Sequence, residues 1–151
     1  MFIVHGHGPP TDIFSGVFLV ARELRRQMSE LMATEEWAIE AGFRPPCLGV
    51  IAVVAHHQPV SQREISDALG LDASDVVGVM DVLESAGIVE RRRDPHDRRR
   101  HAVVLTEEGE AAAQRFLDLR AEVEERVFGG LNANERRQLT DLLARAVSQP
   151  A

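Results

Sequence analysis

The sequence predicts a mainly α fold carrying one small β-hairpin. Three observations predict it. Apolar residues recur at helical spacing over most of the chain, as in Phe14, Val17, Phe18, Ala21, Leu24 and Met28. Helix starts and stops are written into the chain: Ser61 with Glu64 and Asn132 with Glu135 have capping-box spacing, and Gly70, Gly87 and Gly129-Gly130 are breaks. Between Gly87 and Gly109 the pattern changes. Two short apolar runs, Ile88-Val89 and Ala102 to Leu105, flank the turn Asp94-Pro95-His96-Asp97, as in a β-hairpin.

Taken in order, residues 1–10 are rich in Gly, Pro and His and are expected to form a loose arm. Asp12 can cap a helix running to about Thr34. Trp37 and Phe43 fall in the connection that follows. Pro45-Pro46 opens a second helix from Cys47 to about His57, apolar nearly all round and so expected to be buried. Ser61 caps a short helix with Ile65, Ala68 and Leu69 as its apolar face, and Gly70 stops it. Asp72 caps the next, which carries Val76, Val77, Met80 and Leu83 and ends at Gly87. Two short helices separated by a tight turn and followed at once by a hairpin form a winged helix-turn-helix. Thr106 caps a long helix through Ala112, Phe116, Leu119, Val123 and Val127, and Asn132 opens a last helix with Leu139, Leu142, Leu143 and Val147. The expected division is an arm at 1–10, an N-terminal helix and connection at 11–44, a DNA-binding lobe at 45–105 and C-terminal helices at 106–151, with the outer helices serving dimerisation.

Composition limits the function. A chain of 151 residues suits one domain, or one domain with a dimerising extension. No run approaches the ~20 apolar residues of a membrane-spanning helix, and no membrane partner is expected. The start MFIVHGHGPP lacks the basic and long apolar segments of a secretory signal, so the expected location is the cytoplasm. Cys47 is the only cysteine, which excludes an internal disulfide. Hydrolase, zinc-protease and phosphate-loop motifs are missing, so neither an enzyme nor a cofactor is expected. His5 with His7, and His56 with His57, are too sparse a set of ligands for a metal site.

The charge distribution points to an anionic partner. Formal net charge is −7, yet six arginines (Arg91, Arg92, Arg93, Arg98, Arg99, Arg100) crowd the hairpin against three acids, Glu90, Asp94 and Asp97. A cationic finger on an acidic body suits the phosphates of double-stranded DNA; the plainer alternative is a solvated arginine-rich loop. Arg98, Arg99 and Arg100 can reach a narrow minor groove, with Asp94 and Asp97 orienting the guanidiniums. On the second helix of the helix-turn-helix, Ser74, Gly78 and Asp81 oppose the core face, with Asp75 beside them; Ser74 and Asp75 can meet bases. That helix has no Arg or Lys, so affinity must come from the hairpin, Gln62, Arg63 and the helix N-termini.

Three segments then carry a resemblance: Leu83 to Arg91 (LESAGIVER), Asp94 to Arg99 (DPHDRR) and Val104 to Gly109 (VLTEEG). In order and spacing they resemble the MarR family of transcriptional regulators, best over Ser61 to Gly109. The resemblance implies a homodimer with interlocking terminal helices, a pseudo-palindromic operator, and a small aromatic or anionic effector that weakens DNA binding, most often relieving repression. It implies that Arg99 is the arginine inserted into the minor groove, that Asp97 braces the wing, and that Ser74 and its neighbours read bases. Members often carry a basic residue where this chain has Gly78.

Phe14, Phe18, Trp37, Phe43 and Phe116 are candidates for an effector pocket, against the plainer reading of them as core aromatics. Cys47 could make the protein a thiol-based redox sensor, against the plainer reading of a buried small hydrophobe. A remaining alternative is a winged-helix protein-interaction module that has lost tight DNA binding, favoured by Asp72, Asp75 and Asp81.

Overall fold

The computed structural model describes residues 9–94, 96–97 and 100–148. Its elements are α1 (Ile13–Met32), α2 (Glu36–Glu40), α3 (Pro45–His57), α4 (Gln62–Leu69), α5 (Ala73–Ser85), β1 (Val89–Arg93), β2 (His101–Leu105), α6 (Glu107–Phe128) and α7 (Ala133–Val147). The mainly α fold with a two-stranded hairpin follows the sequence reading, with one addition. Trp37 lies within the short helix α2, not in a plain connection. The residues expected to form the loose arm lie outside the described residues, except Pro9 and Pro10.

The chain divides into two compact units, Ser29–Arg120 and a second built from Met1–Met28 and Ala121–Ala151. In the first, α3 is the central element. Cys47, Val50, Ile51 and Val54 on α3 are fully buried, and Ile65, Val76, Met80, Leu83 and Val103 pack with them. Removing such side chains from water supplies about 1.5–3 kcal/mol each, which holds the helix-turn-helix and the hairpin on one core.

The helix-turn-helix is closed by local chemistry. Ser61 Oγ accepts from the Glu64 amide while the Glu64 carboxylate accepts from the Ser61 amide, at 3.2 and 2.8 Å. Gly70 ends α4 with φ +61°, a left-handed turn that costs glycine nothing. Asp72 occupies the N-cap of α5, but its side chain accepts no capping hydrogen bond, so its predicted role is only positional. Ala68, expected on the apolar face of α4, is exposed; Ile65 alone on that helix is fully buried.

Strands β1 and β2 pair antiparallel from Val89↔Leu105 to Arg93↔His101. Val60 extends the ribbon by one bridge to Val103. The LTEEG segment is explained by the junction behind the hairpin. Thr106 Oγ1 donates to the Gly87 carbonyl at 2.5 Å and accepts from the Gly109 amide at 3.0 Å, so one hydroxyl caps α6 and ties it to the end of α5. A Cβ on Gly109 would lie 2.0 Å from the Ile88 carbonyl oxygen, a clash with backbone that only glycine avoids.

In the second unit the capping box of α7 is complete, Asn132 Oδ1 accepting from Asn134 and Glu135 amides at 3.0 Å. Arg136 reaches Glu125 at 2.8 Å, and Arg126 reaches Gln27 at 3.2 Å. Neither α1 nor α7 contains a buried residue. No described helix is long and apolar enough to cross a membrane.

Candidate nucleic-acid interface

Helix α5 has two faces. Val76, Val79, Met80 and Leu83 are buried, while Ser74, Asp75, Val77, Gly78 and Asp81 are exposed. At 100° per residue the buried arc centres between Leu83 and Val76, which leaves Val79 about 50° off centre and Val77 about 110° off. Val77 is 46% exposed, whereas Val79 is in the core. The exposed row therefore runs Ser74, Val77, Gly78, Asp81, with Asp75 at its edge. Gln62 is half-buried and Arg63 exposed in the first turn of α4.

The hairpin arginines divide. Arg91 lies 3.4 Å from Glu84 and Arg92 is paired with Glu90, so both guanidiniums near the base of the wing are partly neutralised. Arg93 and Arg100 are exposed nearer the tip. Arg98 and Arg99, with Pro95, lie outside the described residues. The two acids of the turn differ. Asp94 Oδ1 accepts from the His96 and Asp97 amides at 2.7 and 3.3 Å, so it shapes the turn backbone. Asp97 holds Arg100 loosely, at 3.8 Å. The Arg100 amide donates to the Asp97 carbonyl and the Asp94 amide to the Arg100 carbonyl, both at 2.9 Å, which closes the turn.

The wing and α4 also share charge. Hydrogen bonds from the Ser61 hydroxyl and amide hold the Glu64 carboxyl below its ordinary value, with the Arg100 guanidinium lowering it further and Asp94 opposing. Gln58, just past the end of α3, completes the frame. Its Oε1 accepts from the Leu105 amide on β2 at 2.9 Å, and its Nε2 donates to Glu110 on α6 at 2.8 Å. Nothing in the sequence announces this clasp, because its partners lie 47 and 52 residues away.

The five candidate pocket aromatics occupy three places. Trp37 and Phe43 meet edge to face, with centroids 5.4 Å apart, and line a cavity of about 550 Å³ with Ala86, Ile88, Ala112 and Arg115. Glu40 and Glu108 are on its wall. Arg115 is engaged by Glu35 at 3.0 Å, and Glu35 also accepts from Trp37 Nε1 at 2.6 Å; the two donors pull the Glu35 carboxyl down. Phe116 lines a different, smaller cavity of about 220 Å³ between α3 and α6, beside His56 and Arg120. Phe14 and Phe18 belong to the second unit, stacked 6.5 Å apart and exposed. Cys47 is fully buried in the core, which closes its sulfur to oxidants in solution. Among the described residues no three His, Cys, Asp or Glu side chains gather as metal ligands.

Residues 41–100 match the MarR family. The chain is 31% identical over 97 residues to the HTH-type transcriptional repressor NicR of Pseudomonas putida, covering 64% of this chain and 61% of NicR. It is 30% identical over 124 residues to a putative transcriptional regulatory protein for the hcr operon of Thauera aromatica, covering 82% of this chain and 72% of that protein. Its fold is similar to that of CouR from Rhodococcus jostii, a structure bound to p-coumaroyl-CoA, with TM-score 0.77, 24% identity, and 97% and 99% of the two chains covered.

Proposed function

The chain belongs to the MarR family of transcriptional regulators, and from that premise we propose that it is a cytoplasmic, homodimeric repressor of a pseudo-palindromic operator. The observation that carries the reading is the solvent-facing row Ser74, Val77, Gly78 and Asp81 on the second helix of a helix-turn-helix, beside an arginine-rich hairpin. The 45–105 lobe binds the duplex. The hairpin supplies affinity through phosphates and the minor groove, and α5 enters the major groove. Exposed apolar side chains on the terminal segments, Phe14, Phe18, Leu142, Leu143 and Val147 among them, support pairing with a second copy.

The regulation proposed is release by a small aromatic effector. The cavity beside Trp37 and Phe43 supports it by size and by its aromatic wall. Its one guanidinium, Arg115, already holds Glu35, and two further carboxylates stand nearby, so an aromatic ring suits the cavity better than a free anion. An effector that binds better when the two lobes are splayed lowers DNA affinity by its differential binding energy.

Fluorescence anisotropy with selected duplexes tests the reading. With four to eight phosphates contacted per dimer, log K should fall against log salt with a slope of roughly −4 to −7. A properly folded dimer that binds no duplex in dilute buffer refutes it. The second reading, a protein-interaction module, is favoured by one observation: Asp72, Asp75 and Asp81 are all exposed around a recognition face that lacks any cation. It predicts no salt-dependent retention on random-sequence DNA.

A further inference from the structure

We propose that α5 reads the pyrimidine edges of its half-site, with Val77 seated against the 5-methyl group of a thymine. The inference rests on the DNA-binding reading above and adds the base chemistry that the helix selects.

A single exposed valine on a helix is ordinary. Its neighbours make this one informative. The major-groove edge of guanine is read by the donors of Arg or Lys, and that of adenine by the paired donor and acceptor of Asn or Gln. The segment Ala73–Ser85 holds none of the four. What its exposed row offers instead is a branched apolar side chain at Val77, a hydroxyl at Ser74 and carboxylates at Asp75 and Asp81. Thymine presents a methyl group in the major groove, and cytosine presents an amino donor that a carboxylate accepts. The apolar and carboxylate side chains therefore match the two pyrimidines, and on this helix only the Ser74 hydroxyl, a donor as well as an acceptor, suits a purine edge.

The geometry supports close approach at that point. Gly78 stands next to Val77 on the row, and a Cβ built there would meet nothing within 4 Å. The glycine is not required by packing inside the protein, and it leaves the helix backbone uncovered beside the valine. Asp81 lies one turn beyond Val77, so it follows the same line along the groove. Carboxylates in this position repel phosphate and are tolerable only where they face base edges. That divides the work, with the hairpin arginines carrying affinity and α5 carrying base choice.

The test uses the full-length protein. An operator is first selected from a random duplex library. Each thymine of the bound site is then replaced in turn by deoxyuridine, which removes the 5-methyl group and leaves the Watson–Crick edge intact. The expected result is one thymine per half-site whose replacement raises Kd about fourfold, the worth of one buried methyl group. In Val77→Ala protein, whose helix content is checked by circular dichroism, the same replacement should leave Kd almost unchanged. A selected operator indifferent to uracil at every position overturns the inference alone. So does Val77→Ala protein that keeps the full sensitivity. Failure to retain any DNA overturns the DNA-binding reading and this inference with it.

Discussion

The unit Ser29–Arg120 and the unit formed by the two ends of the chain use apolar side chains in opposite ways. In the first, Ile51, Ile65, Met80 and Leu83 are wholly withdrawn from solvent around α3. In the second, Ile13 is 86% exposed, Phe14 72% and Val147 84%. In sequence, α3 is apolar nearly all round, whereas α1 and α7 carry apolar residues on one stripe. The difference teaches that one unit closes its own core, whereas the other leaves much of its apolar stripe exposed.

The comparison breaks most visibly at Leu83. Leu83→Ala removes a fully buried side chain from the lobe and should cost about 2–5 kcal/mol of stability in urea unfolding. A loss under 1 kcal/mol would mean that the lobe does not depend on this core. Phe18→Asp combined with Leu143→Asp addresses the other unit. Sedimentation should show the dimer dissociation constant rising on the order of 100-fold, as expected when central apolar contacts of an interface are replaced by charge. An unchanged dimer would place the pairing surface elsewhere.

Arg99→Ala sharpens the contrast between stability and binding. It should weaken operator binding by about 1–3 kcal/mol in anisotropy titrations while the melting curve stays in place. Unchanged affinity would remove Arg99 from the contact surface. Ser61→Ala should lower stability by about 1 kcal/mol through loss of the cap of α4. That cap is also pH-sensitive. The folded-state pKa of Glu64 is held below its ordinary value of 4.5, so its contribution is present above that value and is lost as pH falls through the lowered one. Melting temperature followed from pH 6 downward should therefore fall more steeply in the parent than in Ser61→Ala, and parallel curves would contradict the assignment.

Much of the fold was legible because its information is local. Capping boxes at Ser61 and Asn132, the turn at Gly70 and the hairpin between Ile88 and Leu105 each depend on residues within a few positions of one another. The candidate interface was legible in part. Exposure of Ser74, Asp75, Gly78 and Asp81 follows from the helical period, whereas the bond from the His96 amide to Asp94 depends on the geometry of the turn.

By itself, then, the chain determined where helices begin and end, where it turns back as a ribbon, and that positive charge gathers on that ribbon; caps, glycine turns and charge runs act over one or two turns. Only the packed lobe decided that Val79 is inside and Val77 outside, that Gln58 fastens β2 to α6, and that Trp37 and Phe43 share a cavity. Those outcomes depend on close packing and on contacts between distant residues, where burial of one candidate excludes its equivalent neighbour.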